Sequence, residues 1–271
     1  MSQSPPQTTR LEPRQRRPGE EVARRNDWYI DDQHAIQLGS AGRRALIEAR
    51  WDVLRQEIAL WSESAARSGS GDMNVLDAGC GDGINLIGLT KALQSVGLPA
   101  NLFGTDYNTL RAGRSLELGE ARGICGASLL ALPFADATFD IILCNHVLEH
   151  IPEDTQALSE LRRVLRPGGL MLIGVPNEGC ALAWLRNHVL QPSILKTTDH
   201  LHFHTAASLR DRIEGAGMSV QRIHREGFFV PHLRVTGYLV ERGWGRSIMD
   251  GARALVPSQA AGLIAVARRE R

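Results

Sequence analysis

The chain has 271 residues, of which 31 are Lys or Arg and 30 are Asp or Glu, so its formal net charge is +1. A charge this close to zero argues against a protein that coats nucleic acid through a global positive field. Hydrophobic residues make up 43% of the chain and aromatic residues 5%. This composition allows a packed core but does not suit an aromatic platform that stacks single-stranded nucleic acid.

Residues 1–26 are rich in Pro, Gln, Thr and Arg and contain few apolar residues. Such a segment cannot bury enough apolar surface to offset the entropy of ordering it, so we predict a disordered tail. Its arginines would suit contact with nucleic acid or an acidic lipid surface, but a solvated tail is the simpler interpretation. Residues 27–71 are predicted to be a helical extension, because apolar residues recur at helical spacing over 41–67 before a Ser-Gly-Ser-Gly break.

Over residues 72–271, strand and helix signals alternate, which is typical of a mostly parallel sheet covered by helices on both faces. Apolar segments predict strands at 74–78, 100–105, 123–127, 139–144, 170–175, 218–224 and 262–268. Periodic segments predict helices at 84–96, 109–121, 152–166 and 205–216. Two stretches, 176–204 and 227–258, do not fit this alternation, and we expect them to be insertions that form a substrate lid.

The strongest local signal is V-L-D-A-G-C-G-D-G at 75–83, where a buried strand ends in an acid and a glycine-rich turn opens a helix. Glycines let a ligand approach the backbone, and the start of a helix offers unpaired N–H groups. In a dinucleotide-binding protein a pyrophosphate would lie on that helix, but the carboxylate of Asp77 would repel it. Asp77 suits a cationic ligand, which favours a sulfonium amino acid over NAD.

A second acid, Asp106, ends the next predicted strand and lies 27 residues after Gly79 (106 − 79). A carboxylate at this place accepts hydrogen bonds from both hydroxyls of a ribose. The neighbouring Tyr107 would then cover the face of an adenine. The alternative is that Asp106 caps the following helix and Tyr107 packs against the protein.

With these motifs, the sequence resembles the class I S-adenosylmethionine-dependent methyltransferases, in particular the small-molecule group called methyltransferase type 11. The resemblance covers residues 73–226 and rests on five segments in order: 75–83, G-T-D-Y at 104–107, L-P-F-A-D-A-T-F-D at 132–140, H-V-L-E-H-I at 146–151 and L-R-P-G-G at 165–169. It implies a Rossmann-like, seven-stranded, mostly parallel sheet whose last strand is antiparallel. It also implies S-adenosyl-L-methionine at the carboxyl ends of the first strands.

The resemblance implies which residues border the cofactor. Asp77 and the glycine turn would lie beside the methionine part, Asp106 would hold the ribose and Tyr107 would flank the adenine. The complete implied set is Asp77, Gly79, Cys80, Gly81, Gly83, Asp106, Tyr107, Ser128, Leu129 and Asn145. Ser128 is a departure, because relatives often carry an Asp there that accepts from the adenine amino group, and a hydroxyl is a weaker acceptor. We interpret Cys80 as a small apolar filler.

Two histidines are the candidate catalytic bases. By the resemblance, His146 faces the methyl-transfer site just past the fourth predicted strand, and His200 would enter from the 176–204 insertion. An imidazole suits the removal of a proton from a hydroxyl acceptor. The chain has N-H-V-L at 145–148, whereas enzymes that methylate exocyclic amines of bases typically have [DN]-P-P-[YF]. We therefore expect oxygen as the acceptor atom.

A metal site is an alternative for some of these histidines. Glu149 and His150 are similar to an acid–histidine stretch that helps to hold a divalent ion in ubiquinone-pathway O-methyltransferases. His200, His202 and His204 alternate along a segment, which would place them on one face of an extended chain. Helix capping and packing are the simpler interpretations, and we expect no metal.

The sequence thus predicts an S-adenosyl-L-methionine-dependent methyltransferase with a small-molecule acceptor. The apolar residues of 227–258 favour an apolar or aromatic acceptor such as a polyketide, a quinone or a lipid-linked sugar, although a homodimer face would account for them equally well. The alternatives are a non-catalytic binding partner that holds the cofactor, and a nucleic-acid methyltransferase that uses the tail. We expect no nucleic-acid partner.

The expected location is the cytoplasm. The four cysteines at 80, 125, 144 and 180 include no C-x-x-C pair, which argues against a disulfide framework and favours a reducing compartment. The longest apolar runs, such as 169–176, are far shorter than the ~18–20 residues that a membrane span needs. No apolar secretory signal is visible near residue 1.

Deletion of residues 1–25 tests the predicted tail. The melting temperature and the affinity for S-adenosyl-L-methionine should stay nearly unchanged, because little apolar area is lost. Calorimetry of the full and shortened chains measures both quantities. A large fall in the melting temperature would show that the tail docks on the fold.

Overall fold

The structure is a computed structural model that describes residues 33–64 and 73–270. The predicted disordered tail, 1–26, lies outside the described residues. Part of the predicted helical extension is described, as helices α1 (Gln33–Gly39) and α2 (Ala41–Ser64).

Within the described residues, seven strands form one sheet, as the alternation of signals predicts. They are β1 (Met73–Ala78), β2 (Ala100–Asp106), β3 (Gly123–Gly126), β4 (Phe139–Asn145), β5 (Leu165–Pro176), β6 (Ser219–Glu226) and β7 (Gly262–Arg268). Their order is β3-β2-β1-β4-β5-β7-β6. Pairs among β1 to β5 are parallel, whereas β7 is antiparallel to both β5 and β6. The predicted sheet with an antiparallel last strand is confirmed.

The helices that follow α2 connect these strands or lie in the two insertions. They are α3 (Ile84–Ser95), α4 (Thr109–Glu117), α5 (Asp154–Val164), α6 (Ala181–Leu185), α7 (Ile194–Thr197), α8 (Ala206–Gly215), α9 (Leu233–Val240) and α10 (Gly243–Leu255). None of the helices over 33–64 and 73–270 is both long and apolar enough to cross a membrane.

The sheet is covered on both faces, because its central strands carry apolar residues at successive positions that point in opposite directions. Leu76 of β1 belongs to a buried cluster that includes Leu158 of α5 and Leu209 of α8. Its neighbour Val75 belongs to a second buried cluster that includes Leu54 of α2. Strand β1 therefore lies in the middle of the core, and the turn that follows it is held from both sides.

The predicted helix at 152–166 is too long at both ends. Helix α5 begins at Asp154 and ends at Val164, and Leu165 already belongs to β5. Leu165 is fully buried and pairs with Phe139 of β4. Pairing with β4 therefore ends α5 before the residue that helical periodicity predicts.

Both insertions start from the edge of the sheet that carries the glycine turn. Strand β5 ends at Pro176 and β6, which runs in the same direction, ends at Glu226. The first insertion folds into α6, a π-helical turn and α7, and the second folds into α9 and α10. The backbone N–H of Leu233 donates to Oε1 of Gln191 at 2.9 Å and joins the two insertions.

Candidate active site

The turn between β1 and α3 has a left-handed backbone that glycine adopts at little cost. Gly79, Gly81 and Gly83 have φ angles of 83°, 54° and 85°. The N–H of Gly79 donates to the carbonyl of Thr105 at 2.7 Å, which holds the turn against the end of β2. A Cβ atom on Gly79 would collide with the side chain of Val147, so the turn also lies against the loop after β4.

Asp77 is a buried carboxyl without a partner. It is fully buried, and neither of its oxygens has a hydrogen-bond partner among the described residues. Burial raises the pKa of Asp77 to about 8, and the nearby charge of Asp106 adds to this effect. A cationic ligand group beside Asp77 would favour the ionised form again. The orphaned carboxyl therefore fits the cationic end of an amino acid.

Asp106 ties the glycine turn to the end of β2. Its Oδ2 accepts from the N–H of Gly81 and its Oδ1 accepts from the N–H of Asn108, both at 2.8 Å. Each oxygen keeps a lone pair for a ligand hydroxyl. Burial raises the pKa of Asp106, and the two N–H donors and the guanidinium of Arg111 offset only part of that effect. The next residue, Tyr107, is exposed.

The helix that follows is capped by another residue. Asn108 is the N-cap of α4, and its side chain accepts from the backbone N–H groups of Leu110 and Arg111. The alternative interpretation of Asp106 as the cap of this helix is therefore wrong. The carboxylate of Asp106 faces the glycine turn instead, which is where a nucleoside would need it.

Asp82 is a further buried residue of the glycine turn, which the motif alone does not single out. This buried carboxylate accepts from the backbone N–H of Gln33 at 3.0 Å and lies 3.4 Å from Nε of Arg111 and 3.6 Å from Nη1 of Arg114. It therefore joins the glycine turn to α1 and α4. The spacing of the two arginines on one helix face is the only signal in the sequence for this contact.

Three further predicted cofactor residues lie beside the turn or on the loop after β3. The hydroxyl of Ser128 accepts from the N–H of Leu130 at 3.2 Å, and Leu129 is buried. Cys80 is buried, and burial raises the pKa of its thiol far above the usual range. A thiol in that state is inert, in keeping with its interpretation as packing.

Asn145 and His146 mark the end of β4. Asn145 is buried, and a Cβ atom on Gly174 of β5 would collide with its side-chain oxygen. His146 has a φ of 56°, a left-handed conformation that is strained for a residue with a side chain. Its Nδ1 lies 3.2 Å from Oε1 of Glu149, and 38% of its side chain is exposed.

Glu149 and His150 belong to the same network. Glu149 is fully buried, and its Oε2 has no partner among the described residues. Burial raises the pKa of Glu149, but His146 and His150 outweigh burial and lower it overall. Burial lowers the pKa of His150, but its ion pair with Asp199, at 3.1 Å, and the charge of Glu149 raise it overall.

The second predicted base, His200, comes from the first insertion and meets this network. Its Nδ1 pairs with Oε2 of Glu178, whose other oxygen accepts from Arg186 at 2.6 Å. Burial raises the pKa of Glu178, but the two partners lower it overall. The rings of His150 and His200 lie edge to face with centroids 4.8 Å apart. The fold thus brings both predicted histidines to one network.

The three alternating histidines of the first insertion do not form one cluster, because the ring of His200 lies against His150 whereas the rings of His202 and His204 have centroids 5.9 Å apart. Nε2 of His202 donates to the carbonyl of Ile151 at 2.9 Å. His204 is buried, and burial lowers its pKa. Across 33–64 and 73–270, one group has metal-ligand geometry: the ligand atoms of Glu149, His150 and His200 lie within 4.8 Å of one another. The absence of a metal stays a prediction.

Comparison with known proteins agrees with this geometry. Residues 76–173 match the family described as methyltransferase domain. A relative from Mycolicibacterium smegmatis, named as an S-adenosylmethionine-dependent methyltransferase, is 29% identical over 65% of this chain and 65% of its own length. Over residues 76–173 the chain is therefore similar to the class I S-adenosylmethionine-dependent methyltransferases. The cofactor of this family is S-adenosyl-L-methionine, and the orphaned Asp77, the glycine turn and Asp106 fit it.

Two further methyltransferases are similar to this chain. The ubiquinone biosynthesis O-methyltransferase of Colwellia psychrerythraea is 30% identical over 48% of this chain and 52% of its own length. The chain therefore matches only about half to two thirds of the length of these curated relatives. A solved methyltransferase from Aquifex aeolicus superposes with a TM-score of 0.51 at 16% identity, over 94% of this chain and 100% of that one, which shows the fold.

Replacement of Asp106 by Ala should weaken the binding of S-adenosyl-L-methionine by roughly 1.5–3 kcal/mol, because the ribose hydroxyls lose charge-assisted partners. Isothermal titration calorimetry measures this change. Asp52→Ala, on an exposed face of α2, is the matched control and should bind as the wild type does. Unchanged affinity in Asp106→Ala would remove Asp106 from the cofactor site.

Replacement of Asp77 by Asn should raise the melting temperature of the cofactor-free protein above that of the wild type, and this increase should be larger at pH 8 than at pH 4. The pKa of Asp77 is about 8 in the fold against an ordinary value of 3.8. The stability contributed by the neutral carboxyl is therefore complete below pH 3.8 and is lost as the pH rises through about 8. Asn cannot ionise and avoids this loss.

Melting curves of wild type and Asp77→Asn over this pH range give the test. The difference between the two melting temperatures should grow with pH, and the variant should bind S-adenosyl-L-methionine more weakly. A difference that does not change with pH would show that Asp77 is ionised in the fold.

Proposed function

We propose that this protein transfers the methyl group of S-adenosyl-L-methionine to a hydroxyl oxygen of an apolar or aromatic small molecule. The observation that carries this proposal is the pairing of a partly exposed His146 with the buried carboxylate of Glu149 at the end of β4. The bound cofactor supplies an electrophilic methyl group, so the protein needs only to position the acceptor and remove its proton.

His146 has the surroundings of a general base. The contact of Nδ1 with Glu149 fixes the imidazole and leaves Nε2 as the nitrogen that accepts a proton. The buried carboxylate then stabilises the imidazolium that results. The strained backbone of His146 is consistent with a functional role, because strain of this kind is kept where a side chain must be aimed.

His200 is the second candidate base, and a carboxylate contacts its Nδ1 as Glu149 contacts that of His146. Glu178 holds its Nδ1, and Arg186 in turn holds Glu178. The two histidines come from opposite sides of the network, one from β4 and one from the insertion after β5. An acceptor hydroxyl between them would meet an oriented imidazole from either side.

The proposed acceptor class rests on the first insertion and on one relative. Large apolar side chains of the first insertion are exposed, among them Trp184 and Phe203. The relative from Colwellia psychrerythraea is named for O-methylation in ubiquinone biosynthesis. We also propose a cytoplasmic location, which the four free cysteines support.

Transfer of a labelled methyl group to a metabolite extract tests the proposed function. Label should enter the fraction soluble in organic solvent, and Asp106→Ala should lose most of it at low cofactor concentration. Cofactor binding without any transfer would indicate a non-catalytic binding protein. Label in nucleic acid, with a steep salt dependence, would indicate a nucleic-acid methyltransferase.

Replacement of the base by Ala should lower the turnover rate by ~10²–10⁴ with cofactor binding intact, for either His146 or His200. His188→Ala is the matched control, because His188 is an exposed histidine of the same insertion. Near-wild-type turnover in both variants would exclude a histidine base at these places and would favour an amine or a pre-ionised acceptor.

A further inference from the structure

The proposed function leaves one surface unexplained, an apolar stripe on α10. Trp244, Ile248 and Leu255 are 53%, 58% and 84% exposed. Their spacing of four and seven residues (248 − 244 and 255 − 248) places them on one line along the helix.

Helix α10 has an apolar face that the protein covers only in part. Gly245 and Met249 lie on that face and are buried against the rest of the fold. The exposed stripe lies beside them on the same helix, whereas Arg246 and Arg253 occupy the opposite side. The uncovered half of the apolar face is thus continuous with the covered half.

The surface continues onto α9. The ring of Tyr238 lies edge to face with Trp244 at 6.1 Å, and the guanidinium of Arg242 lies 3.5 Å from the centre of the Tyr238 ring. Val235 of the same helix is exposed and lies three residues before Tyr238, on the same side of the helix. We call these side chains the α9–α10 surface: Val235, Tyr238, Trp244, Ile248 and Leu255.

The charges around the α9–α10 surface are mainly positive. Residues 227–258 contain four arginines and two acids, a net charge of +2 for the segment against +1 for the whole chain. One of the acids, Glu241, accepts from the N–H of Gly42 at 3.2 Å. The other, Asp250, lies 3.5 Å from Arg253. The arginines Arg234 and Arg242 therefore dominate the rim.

This combination favours an anionic lipid bilayer over a second copy of the chain. A two-fold dimer would place the α9–α10 surface against itself, so that arginines would meet arginines. A bilayer offers an apolar interior to the stripe and negative headgroups to the rim, and Trp and Tyr beside arginines are typical of membrane interfaces. We propose that the α9–α10 surface binds the face of an anionic bilayer, with the helices lying on the membrane.

The surface belongs to an insertion that starts at the same edge of the sheet as the candidate active site. The second insertion starts where β6 ends, at the same sheet edge as the glycine turn, and is joined to the first insertion by Leu233 and Gln191. A protein bound in this way would hold its acceptor site near the lipid. Binding to the bilayer does not depend on the proposed methyl transfer.

Co-sedimentation with lipid vesicles tests the proposal. The full chain should bind vesicles of equal parts phosphatidylglycerol and phosphatidylcholine, and should bind pure phosphatidylcholine at least about tenfold more weakly. The double variant Trp244→Ser/Ile248→Ser should lower the partition coefficient for the anionic vesicles by about tenfold or more. The matched control is Leu60→Ser/Leu116→Ser, which removes two exposed apolar side chains from α2 and α4 and should bind as the wild type does.

A second variant keeps the test independent of folding. Arg234→Glu changes only an exposed charge beside the stripe and should weaken binding to the anionic vesicles by about tenfold, with less effect at high salt. Failure to bind anionic vesicles, or equal losses in the control variant, would overturn the proposal. So would a dimer in sedimentation velocity that Trp244→Ser/Ile248→Ser dissociates, because the surface would then belong to a second copy.

Discussion

The candidate active site depends on one buried residue, Glu149. Its side chain contacts His146 from the end of β4, and its backbone carbonyl accepts from the N–H groups of Leu201 and His202 at 2.7 and 3.2 Å. The first contact is local, whereas the second reaches the insertion after β5. A single residue therefore fixes the distance between the two sources of imidazole, and the carboxylates that orient His150 and His200 act within that frame.

Two carboxyl groups at the same edge of the sheet have oxygen atoms that the described residues leave without a hydrogen-bond partner. Asp77 has no partner among the described residues, and one oxygen of Glu149 has none either. Each of these groups costs stability in the absence of a ligand. A protein optimised only for folding would fill these places with apolar residues. Their presence at the carboxyl ends of β1 and β4 is an independent sign that this edge binds a polar or charged ligand.

The sequence predicts the sheet well because its signals are local. The buried strand before the glycine turn, the acid at position 106 and the strand at 262–268 each follow from short segments, whereas the antiparallel direction of the last strand follows only from the family resemblance. The helix cap at Asn108 and the shortened α5 do not, because the first depends on hydrogen bonds of single side chains and the second on the pairing of Leu165 with Phe139.

The sequence predicts only part of the network around His200, for a different reason. His200 stands out as one of three alternating histidines, but its partner Glu178 is in a segment without periodicity. Alternation predicts that the three imidazoles share a face, which holds only for an extended strand. The segment between α7 and α8 is irregular, and the ring of His200 separates from the other two and lies against His150. Only the tertiary structure decides which one reaches the site.

The bond between Gln33 and Asp82 has a consequence for how the chain assembles. The N–H at the start of α1 is satisfied by an acid 49 residues further along the chain, inside the glycine turn. A helix of seven residues is too short to be stable alone. Helix α1 therefore gains its cap only after β1 and α3 have come together, and we expect it to be among the last elements to form. Loss of structure in α1 would then indicate that the glycine turn around Asp82 is disrupted.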